Sequence, residues 1–159
     1  MGGLTRKRLR AVLHYDPLTG AFTWIKSGRI AGHVSKRSGH RSIKLNGRPY
    51  QASNLAWLYV KGRWPTRIVD HENREAGDDR FVNLRLATKR QNMHNSKPRR
   101  DGTGLKGVGP QRGRFRSRIT VNGVQLFLGN FATAAQASAA YRSAARKHFR
   151  TYAAKEQPC

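Results

Sequence analysis

Five of the eight acidic residues in this 159-residue chain fall within ten consecutive positions. They are Asp70, Glu72, Glu75, Asp78 and Asp79. The chain as a whole has a formal net charge of +24, so concentrated negative charge indicates that something positive lies beside it. A divalent cation fits this pattern, and so does a solvated turn whose acids offset nearby arginines. Composition alone leaves both interpretations open.

Side chains suited to hydrolytic chemistry surround this acidic cluster. His71 lies within it, and Asn83, Asn92, His94 and Asn95 follow. Hydrolysis of a phosphodiester requires a deprotonated water in line with the scissile bond and a cation on the departing oxygen. An imidazole, whose unperturbed pKa is about 6.5, accepts that proton near neutral pH. His71 is therefore the candidate general base.

Local patterns place these side chains on successive elements. Ile68–His71 is typical of a strand, and Phe81–Leu86 is typical of a second strand that returns beside it. Thr88, with Gln91 three residues later, is a capping-box pattern that predicts the start of a helix. The order is therefore strand, loop, strand, helix, and each element supplies a polar side chain.

The segment before this group predicts a small antiparallel sheet with two helices. Apolar spacing predicts a helix over Arg6–His14, and a short strand follows over Ala21–Lys26. The residues from 41 to 52 alternate around Asn46-Gly47, which predicts a hairpin with a type I′ turn. A helix is then expected over Leu55–Val60.

With this register in place, the sequence resembles the HNH endonuclease family. The closer resemblance is to its phage and intron-encoded homing branch, in which the last HNH position is Asn. The resemblance covers roughly residues 8 to 97. It is carried by Val69-Asp70-His71, Asp79 to Arg85 and Gln91-Asn92, and upstream by Tyr15 to Trp24 and Leu55 to Tyr59.

The resemblance implies an α+β fold with a ββα-metal (His-Me finger) nuclease core. It implies a metal-dependent HNH endodeoxyribonuclease, of the site-preferring nicking or homing type, with one Mg²⁺ or Mn²⁺ per active site. Asp70 and Asn92 would hold the ion, and Asn83 would orient His71. The simpler alternatives are that Asn83 is a strand residue facing a turn and Asn92 a residue of the helix surface.

Two positions depart from the family pattern. Ser53 stands where relatives carry a histidine, which keeps open the alternative of a catalytically impaired DNA-binding protein. Asp78-Asp79-Arg80 stands where many relatives have Asp-Asn-Arg, and this change is expected to affect only the loop.

Strict alternation near the C-terminal end predicts a strand with one basic face. Arg114, Arg116 and Arg118 lie on one side, and Phe115, Ser117, Ile119 and Val121 lie on the other. An Ala-rich helix that starts at a Thr133 cap would cover the apolar side. The basic side would then contact bases in the DNA major groove, or else be a solvated strand face.

Four short segments of this region resemble the plant ethylene-response-factor type of DNA-binding domain. They are Gly107-Val108, Arg114 to Arg116, Leu128 to Phe131 and Ala139 to Tyr141. The resemblance implies a three-stranded antiparallel sheet packed on one helix. Further DNA contacts are expected from Gln125, Lys44, Arg48 and Arg85.

These observations predict three parts: a nuclease domain over 1–97 with an N-terminal DNA-contacting sheet and a core at about 66–97, a basic linker over 98–104, and a DNA-binding domain over 105–159. The charge of +24 favours a polyanionic partner whose counterions are released on binding, here double-stranded DNA. A structural RNA-binding protein is the alternative from a different class.

The single cysteine, Cys159, excludes a disulfide framework and a Cys-rich zinc site. No apolar run approaches the length of a membrane span, and the sequence predicts no membrane partner. We expect a protein of the cytoplasm, or of the host cell cytoplasm if a phage encodes it, that acts as a monomer on DNA.

Overall fold

The chain forms a mixture of helices and small antiparallel sheets, as the α+β prediction requires. The computed structural model describes residues 3–96 and 103–153. The chain divides into two compact units, 1–90 and 91–159. The predicted linker at 98–104 lies mostly outside the described residues, and the predicted domain bounds stay predictions.

The first unit opens with a helix that leads directly into a strand. Helix α1 (Arg6–Val12) begins after Thr5, whose hydroxyl accepts a hydrogen bond from the Arg8 amide. The predicted helix ends at Val12, because Leu13 and His14 belong to strand β1 (Leu13–Tyr15), which was not predicted. Strand β1 pairs with β2 (Phe22–Trp24), which forms the predicted strand but is shorter than expected. Asp16 closes the turn between the strands by accepting hydrogen bonds from Leu18 and Thr19.

A three-stranded sheet follows, built from β3 (His33–Val34), β4 (Arg41–Leu45) and β5 (Arg48–Gln51). Asn46 and Gly47 both have positive φ, 48° and 80°, as a type I′ turn requires, so the predicted hairpin is confirmed. Helix α2 spans Ala52–Lys61, begins earlier than predicted and ends at the left-handed Gly62.

The strands expected to carry the candidate site form an antiparallel pair. Strand β6 (Ile68–His71) pairs with β7 (Leu84–Ala87), with His71 opposite Leu84. The first residues of the predicted second strand instead form a 3₁₀ turn, Phe81–Asn83. The reason is local docking: the Phe81 amide donates to Pro17 O at 3.1 Å, and a hydrogen bond from Asn83 N to Arg80 O closes the turn.

One apolar core joins these pieces of the first unit. Its buried members come from α1, β1, β2, β4 and α2 and from Ala31 before β3, and Val69 and Leu84 extend it into the β6–β7 pair. The two strands of the candidate site are therefore attached to the upstream elements by buried apolar side chains, whose removal from water stabilises the arrangement. The buried members are Leu9, Leu13, Tyr15, Phe22, Ala31, Ile43, Leu45, Ala52, Leu55, Ala56, Leu58, Val69 and Leu84.

Helix α3 (Lys89–Asn95) crosses the division between the units, and the second unit is a three-stranded antiparallel sheet with one long helix. Its strands are β8 (Val108–Gln111), β9 (Arg114–Val121) and β10 (Val124–Phe131), with β9 in the middle. Helix α4 (Ala134–Phe149) begins at Thr133, which forms a capping box with Gln136 as the sequence predicts.

Burial along β9 follows the predicted alternation. Ser117 and Ile119 are buried, and Ile119 belongs to a small core with Ala145 that Tyr141 packs against. Close packing also explains Gly107, because a Cβ there would overlap the Tyr141 ring. None of the helices in the ranges 3–96 and 103–153 has the length and hydropathy to cross a membrane.

Candidate active site

His71 ends strand β6 and is 5% exposed. Its Nε2 lies 3.0 Å from Oδ1 of Asp79, which is itself 2% exposed. The expectation that the Asp78-Asp79-Arg80 departure affects only the loop is therefore wrong. The loop between β6 and β7 folds back so that the carboxylate of Asp79 contacts the His71 ring.

Asn83 holds the loop in this shape. Its side-chain NH₂ group donates to Asn73 Oδ1 at 3.0 Å and to Asp78 O at 2.8 Å. The Asn83 Oδ1 accepts a hydrogen bond from the backbone amide of Asn73. The Asn83 carbonyl accepts from the Glu72 amide at 2.9 Å. These contacts are made with the loop, and the orienting role toward His71 that the resemblance implies for Asn83 stays a prediction.

Asp70, the predicted metal ligand of β6, is buried beside Arg85. Arg85 Nε donates to Asp70 Oδ2 at 2.9 Å, and the two residues lie opposite each other in the β6–β7 register. The same guanidinium is 3.8 Å from Glu72. The structure thus brings together two predicted site residues, but as an ion pair, with Arg85 only 14% exposed.

A second arginine offsets another acid of the loop. Arg80 Nε and Nη2 donate to the two oxygens of Asp78 at 2.7 and 2.6 Å, and Asn73 donates to the same carboxylate. These hydrogen bonds, those from Arg80 above all, hold the pKa of Asp78 below its ordinary value. Arginines therefore offset the charge of at least two acids of the cluster, Asp70 and Asp78. This agrees with the interpretation of the cluster as a turn whose acids offset nearby arginines.

His40 is a neighbour of His71 that the sequence analysis did not identify. The two ring centroids lie 5.6 Å apart at an angle of 44°, and the His40 ring donates to the backbone of Ala76 in the loop. Burial lowers the pKa of His40, and nearby His71 lowers it further while Asp79 acts in the opposite direction. No local pattern signals this contact, because His40 lies in the turn before β4.

The N-terminal turn supports the loop from another side. The Tyr15 hydroxyl donates to Asp79 O at 2.6 Å, and burial, followed by the charge of Asp79, raises the pKa of that hydroxyl. Gly20 has φ of 75°, and a Cβ there would lie 2.5 Å from Arg80 N and from the Asp79 carbonyl carbon. Only glycine allows the two backbones to approach this closely.

The donors that could hold a metal are few. Among the residues that the structure describes, no three His, Cys, Asp or Glu side chains are grouped for a metal ion. Asp70 offers a carboxylate and Asn92 an amide oxygen, which are hard donors of the type that Mg²⁺ and Mn²⁺ accept. Asn92 is half-buried in α3, within the second unit, and its partnership with Asp70 stays a prediction.

Apart from Arg85, which pairs with Asp70, the predicted DNA-contacting residues lie on the β4–β5 hairpin and on strands β9 and β10. Lys44 and Arg48 are exposed on the β4–β5 hairpin. On β9, Arg114 is exposed and Arg118 donates to Gln125 Oε1 on β10 at 2.7 Å, so two predicted residues are joined. Phe127, which lies opposite Arg118 in the register, is 61% exposed.

Comparisons with known proteins point to one family for part of the chain. Residues 50–94 match the family described as HNH endonuclease, a range that contains β6, the loop, β7 and most of α3. No curated protein sequence matches the chain.

A solved structure titled "DNA binding and cleavage by the HNH homing endonuclease I-HmuI" is similar, with 25% sequence identity and a TM-score of 0.47. That similarity covers 60% of this chain and 57% of the other, so the match spans little more than half of that protein's length. The similarity to HNH endonucleases therefore rests on residues 50–94, less than a third of the chain.

Proposed function

We propose that this protein is a metal-dependent endonuclease that hydrolyses phosphodiester bonds in double-stranded DNA, with His71 as the general base. The observation that carries the proposal is the buried pairing of His71 with Asp79 inside the segment that matches the HNH family. A histidine held by a carboxylate is the arrangement that general-base catalysis needs, because the partner fixes which ring nitrogen accepts a proton.

His71 would take the proton from the water that attacks the phosphorus. It stands at the end of a strand that pairs with β7 and is attached to the apolar core through Val69 and Leu84, and these contacts would hold it in position. Asn83 and Tyr15 hold the loop that supplies Asp79, which keeps the pair intact. Their contribution is therefore orientation of the base.

Asp70 and Asn92 would hold one Mg²⁺ or Mn²⁺. When bound, the ion would stabilise the charge that develops on the departing oxygen. With a single carboxylate, the protein supplies few ligands to the ion, so phosphate oxygens of the DNA and water must complete its coordination. Arg85 offsets the charge of Asp70 within the protein, and we expect the metal to bind weakly until DNA is present.

DNA would be held by the charge of the chain and by two basic surfaces. The net charge of +24 favours any polyanion, so affinity should fall steeply as salt rises. Lys44 and Arg48 would contact the backbone, whereas Arg114, Arg116, Arg118 and Gln125 would read base edges. The second unit would then act as an ethylene-response-factor type of DNA-binding domain, with its sheet toward the groove.

A single chain supplies one His71 and one Asp70, so one engagement would cut one strand. We therefore propose a nicking enzyme of the homing type that acts as a monomer. The product expected from supercoiled plasmid is the open circle, with linear DNA late or absent.

The test incubates the full-length protein with supercoiled plasmid, with Mg²⁺, with Mn²⁺ and with chelator. Open circles should form only with metal, and His71→Ala should abolish them while DNA affinity stays within a few-fold. His14→Ala is the matched control because His14 is exposed on β1. Nicking by His71→Ala near the parental rate would show that His71 is not the general base.

A second candidate function is a DNA-binding protein with an impaired nuclease centre. The observation that favours it is Ser53, which is 2% exposed in the first turn of α2 at the position of the family histidine. DNA binding without any metal-dependent nicking would support this candidate. Binding that prefers RNA, with no nicking, would instead favour a structural RNA-binding protein.

A further inference from the structure

We infer that Asp79 is the positioning residue that holds His71 in the tautomer with hydrogen on Nε2. This inference rests on the proposed function, because it assigns the proton-accepting atom of the same base. It makes Nδ1 the ring nitrogen that takes the proton from water. It also gives a role to the carboxylate that replaces the amide of the Asp-Asn-Arg pattern.

The His71 and Asp79 side chains form a buried contact. Nε2 of His71 and Oδ1 of Asp79 are 3.0 Å apart, a hydrogen-bond distance, and both side chains are buried. A carboxylate accepts hydrogen bonds and a ring N–H donates them, so we assign the hydrogen of this bond to the ring. Nε2 is then the donor, and the lone pair of the neutral imidazole lies on Nδ1.

The buried carboxylate of Asp79 has few hydrogen-bond donors near it. Oδ2 of Asp79 is buried and meets no hydrogen-bond partner within residues 3–96 and 103–153. The ring N–H of His71 is therefore the single donor to this carboxylate in the described part of the chain. The opposite tautomer would turn a lone pair toward it, leaving a buried charge without any donor, which is strongly unfavourable.

The backbone around Asp79 is held in place by its neighbours. Its carbonyl is fixed by the Tyr15 hydroxyl, and the carbonyl of its neighbour Asp78 accepts from Asn83. Gly20 allows the N-terminal turn to pack closely against the backbone of Asp79 and Arg80. The carboxylate is thus presented to the ring by three separate backbone anchors, which is what a positioning residue requires.

An amide at this position would behave differently. Asn has the shape of Asp but can present either its oxygen or its NH₂ group to the ring. Asp79→Asn should therefore admit both tautomers of His71 without altering the packing. Asp79→Ala removes the hydrogen-bond partner of His71, so contact with solvent should then determine which tautomer the ring adopts.

The test combines ¹⁵N NMR of the His71 ring with steady-state nicking by the full-length protein. His71→Ala identifies the ring signals, and Glu75→Gln is the control because Glu75 is an exposed acid of the same loop. In the parent, neutral His71 should be protonated on Nε2. The Nδ1-protonated form should appear in both Asp79 variants, and kcat should fall by about 100-fold in Asp79→Ala with KM changed less than three-fold.

The outcomes separate this inference from the proposed function. An Nδ1-protonated ring in the parent overturns the inference whatever the activity is, and so does an unchanged kcat in both Asp79 variants. In the second case, a parent that nicks DNA and an inactive His71→Ala leave the proposed function standing. If Asp79→Ala does not fold, the isosteric Asp79→Asn and the ring signals of the parent decide the matter.

Discussion

The Tyr15 hydroxyl donates a buried hydrogen bond of 2.6 Å to the backbone carbonyl of Asp79, whose carboxylate contacts His71. The first strand of the chain therefore supports the loop of the candidate site through one phenol. Because both partners are buried, loss of the donor leaves an unsatisfied carbonyl, and the free energy of the contact becomes measurable.

Tyr15→Phe keeps the ring in the core and removes only this donor. We expect it to lower the free energy of unfolding by about 1–3 kcal/mol and to reduce nicking more than DNA binding. Urea denaturation and plasmid assays measure both effects. Tyr50→Phe is the matched control, since the Tyr50 hydroxyl makes no hydrogen bond to the residues that the structure describes. Equal losses in the two variants would contradict the supporting role of Tyr15.

Gly20→Ala should destabilise the first unit through two effects. The residue would have to keep a φ of 75°, which costs a non-glycine residue about 1–2 kcal/mol, and its Cβ would strike the backbone at Asp79 and Arg80. Gly28→Ala isolates the first effect, because Gly28 has φ of 66° with open space around it. Thermal or urea unfolding should show a clearly larger loss for Gly20→Ala, and similar losses would mean that the contact with the loop is loose.

Asp78 makes the stability of the first unit dependent on pH. Its pKa is lowered in the folded protein by Arg80, so its ionised form adds stability above the unfolded pKa of about 3.9. That contribution should disappear as pH falls through the lower folded pKa. The gain in stability from the Asp78–Arg80 ion pair is modest, because Arg80 is half-exposed and solvent screens the two charges.

Unfolding of the parent and of Asp78→Asn between pH 6 and pH 2 tests this expectation. The parent should be the more stable protein at pH 6, and the difference should shrink toward pH 2. Asp16→Asn is a useful comparison, since the hydrogen bond from the Leu18 amide lowers the pKa of Asp16 in the N-terminal turn. A difference between parent and Asp78→Asn that grows with acid would contradict the assignment.

The basic face of β9 is best tested by substitution within the full chain. Lys106 Nζ donates to the carbonyls of Met93, His94 and Ser96, and the His94 ring stacks on Phe149 with centroids 3.6 Å apart. Removal of the C-terminal segment would therefore also release α3, which carries Asn92. A truncation would not separate DNA contact from damage to this helix.

Arg114→Ala with Arg116→Ala should weaken DNA binding and relax sequence preference, measured as affinity for a preferred site relative to unrelated DNA, because these side chains are proposed to read base edges. The nicking rate at saturating protein should change little, because these residues lie far from His71 in the chain and belong to the other unit. Arg146→Ala with Lys147→Ala removes the same charge from the exposed side of α4. Equal effects of the two double variants would mean that β9 contributes charge alone.

Several features of this protein follow from short stretches of sequence. Asn46-Gly47 predicts its hairpin because both residues tolerate positive φ, and the alternation from Arg114 predicts the buried and exposed sides of β9. Thr133 with Gln136 predicts the start of α4. Each of these signals acts over a few residues, so backbone preference and periodicity are sufficient to identify it.

The contacts of the candidate site required the tertiary structure. Local patterns assigned Asp79 to the loop alone, and they predicted neither the contact of His40 with His71 nor the hydrogen bond from Tyr15 to Asp79. They also did not predict the ion pair between Arg85 and Asp70, and the expected contact of Arg85 with DNA stays a prediction. The motif thus determined which residue types are present and the strands that carry them. Which side chain meets which depended on how the loop folds back and where the N-terminal turn packs, contacts between residues far apart in the chain that no local pattern encodes.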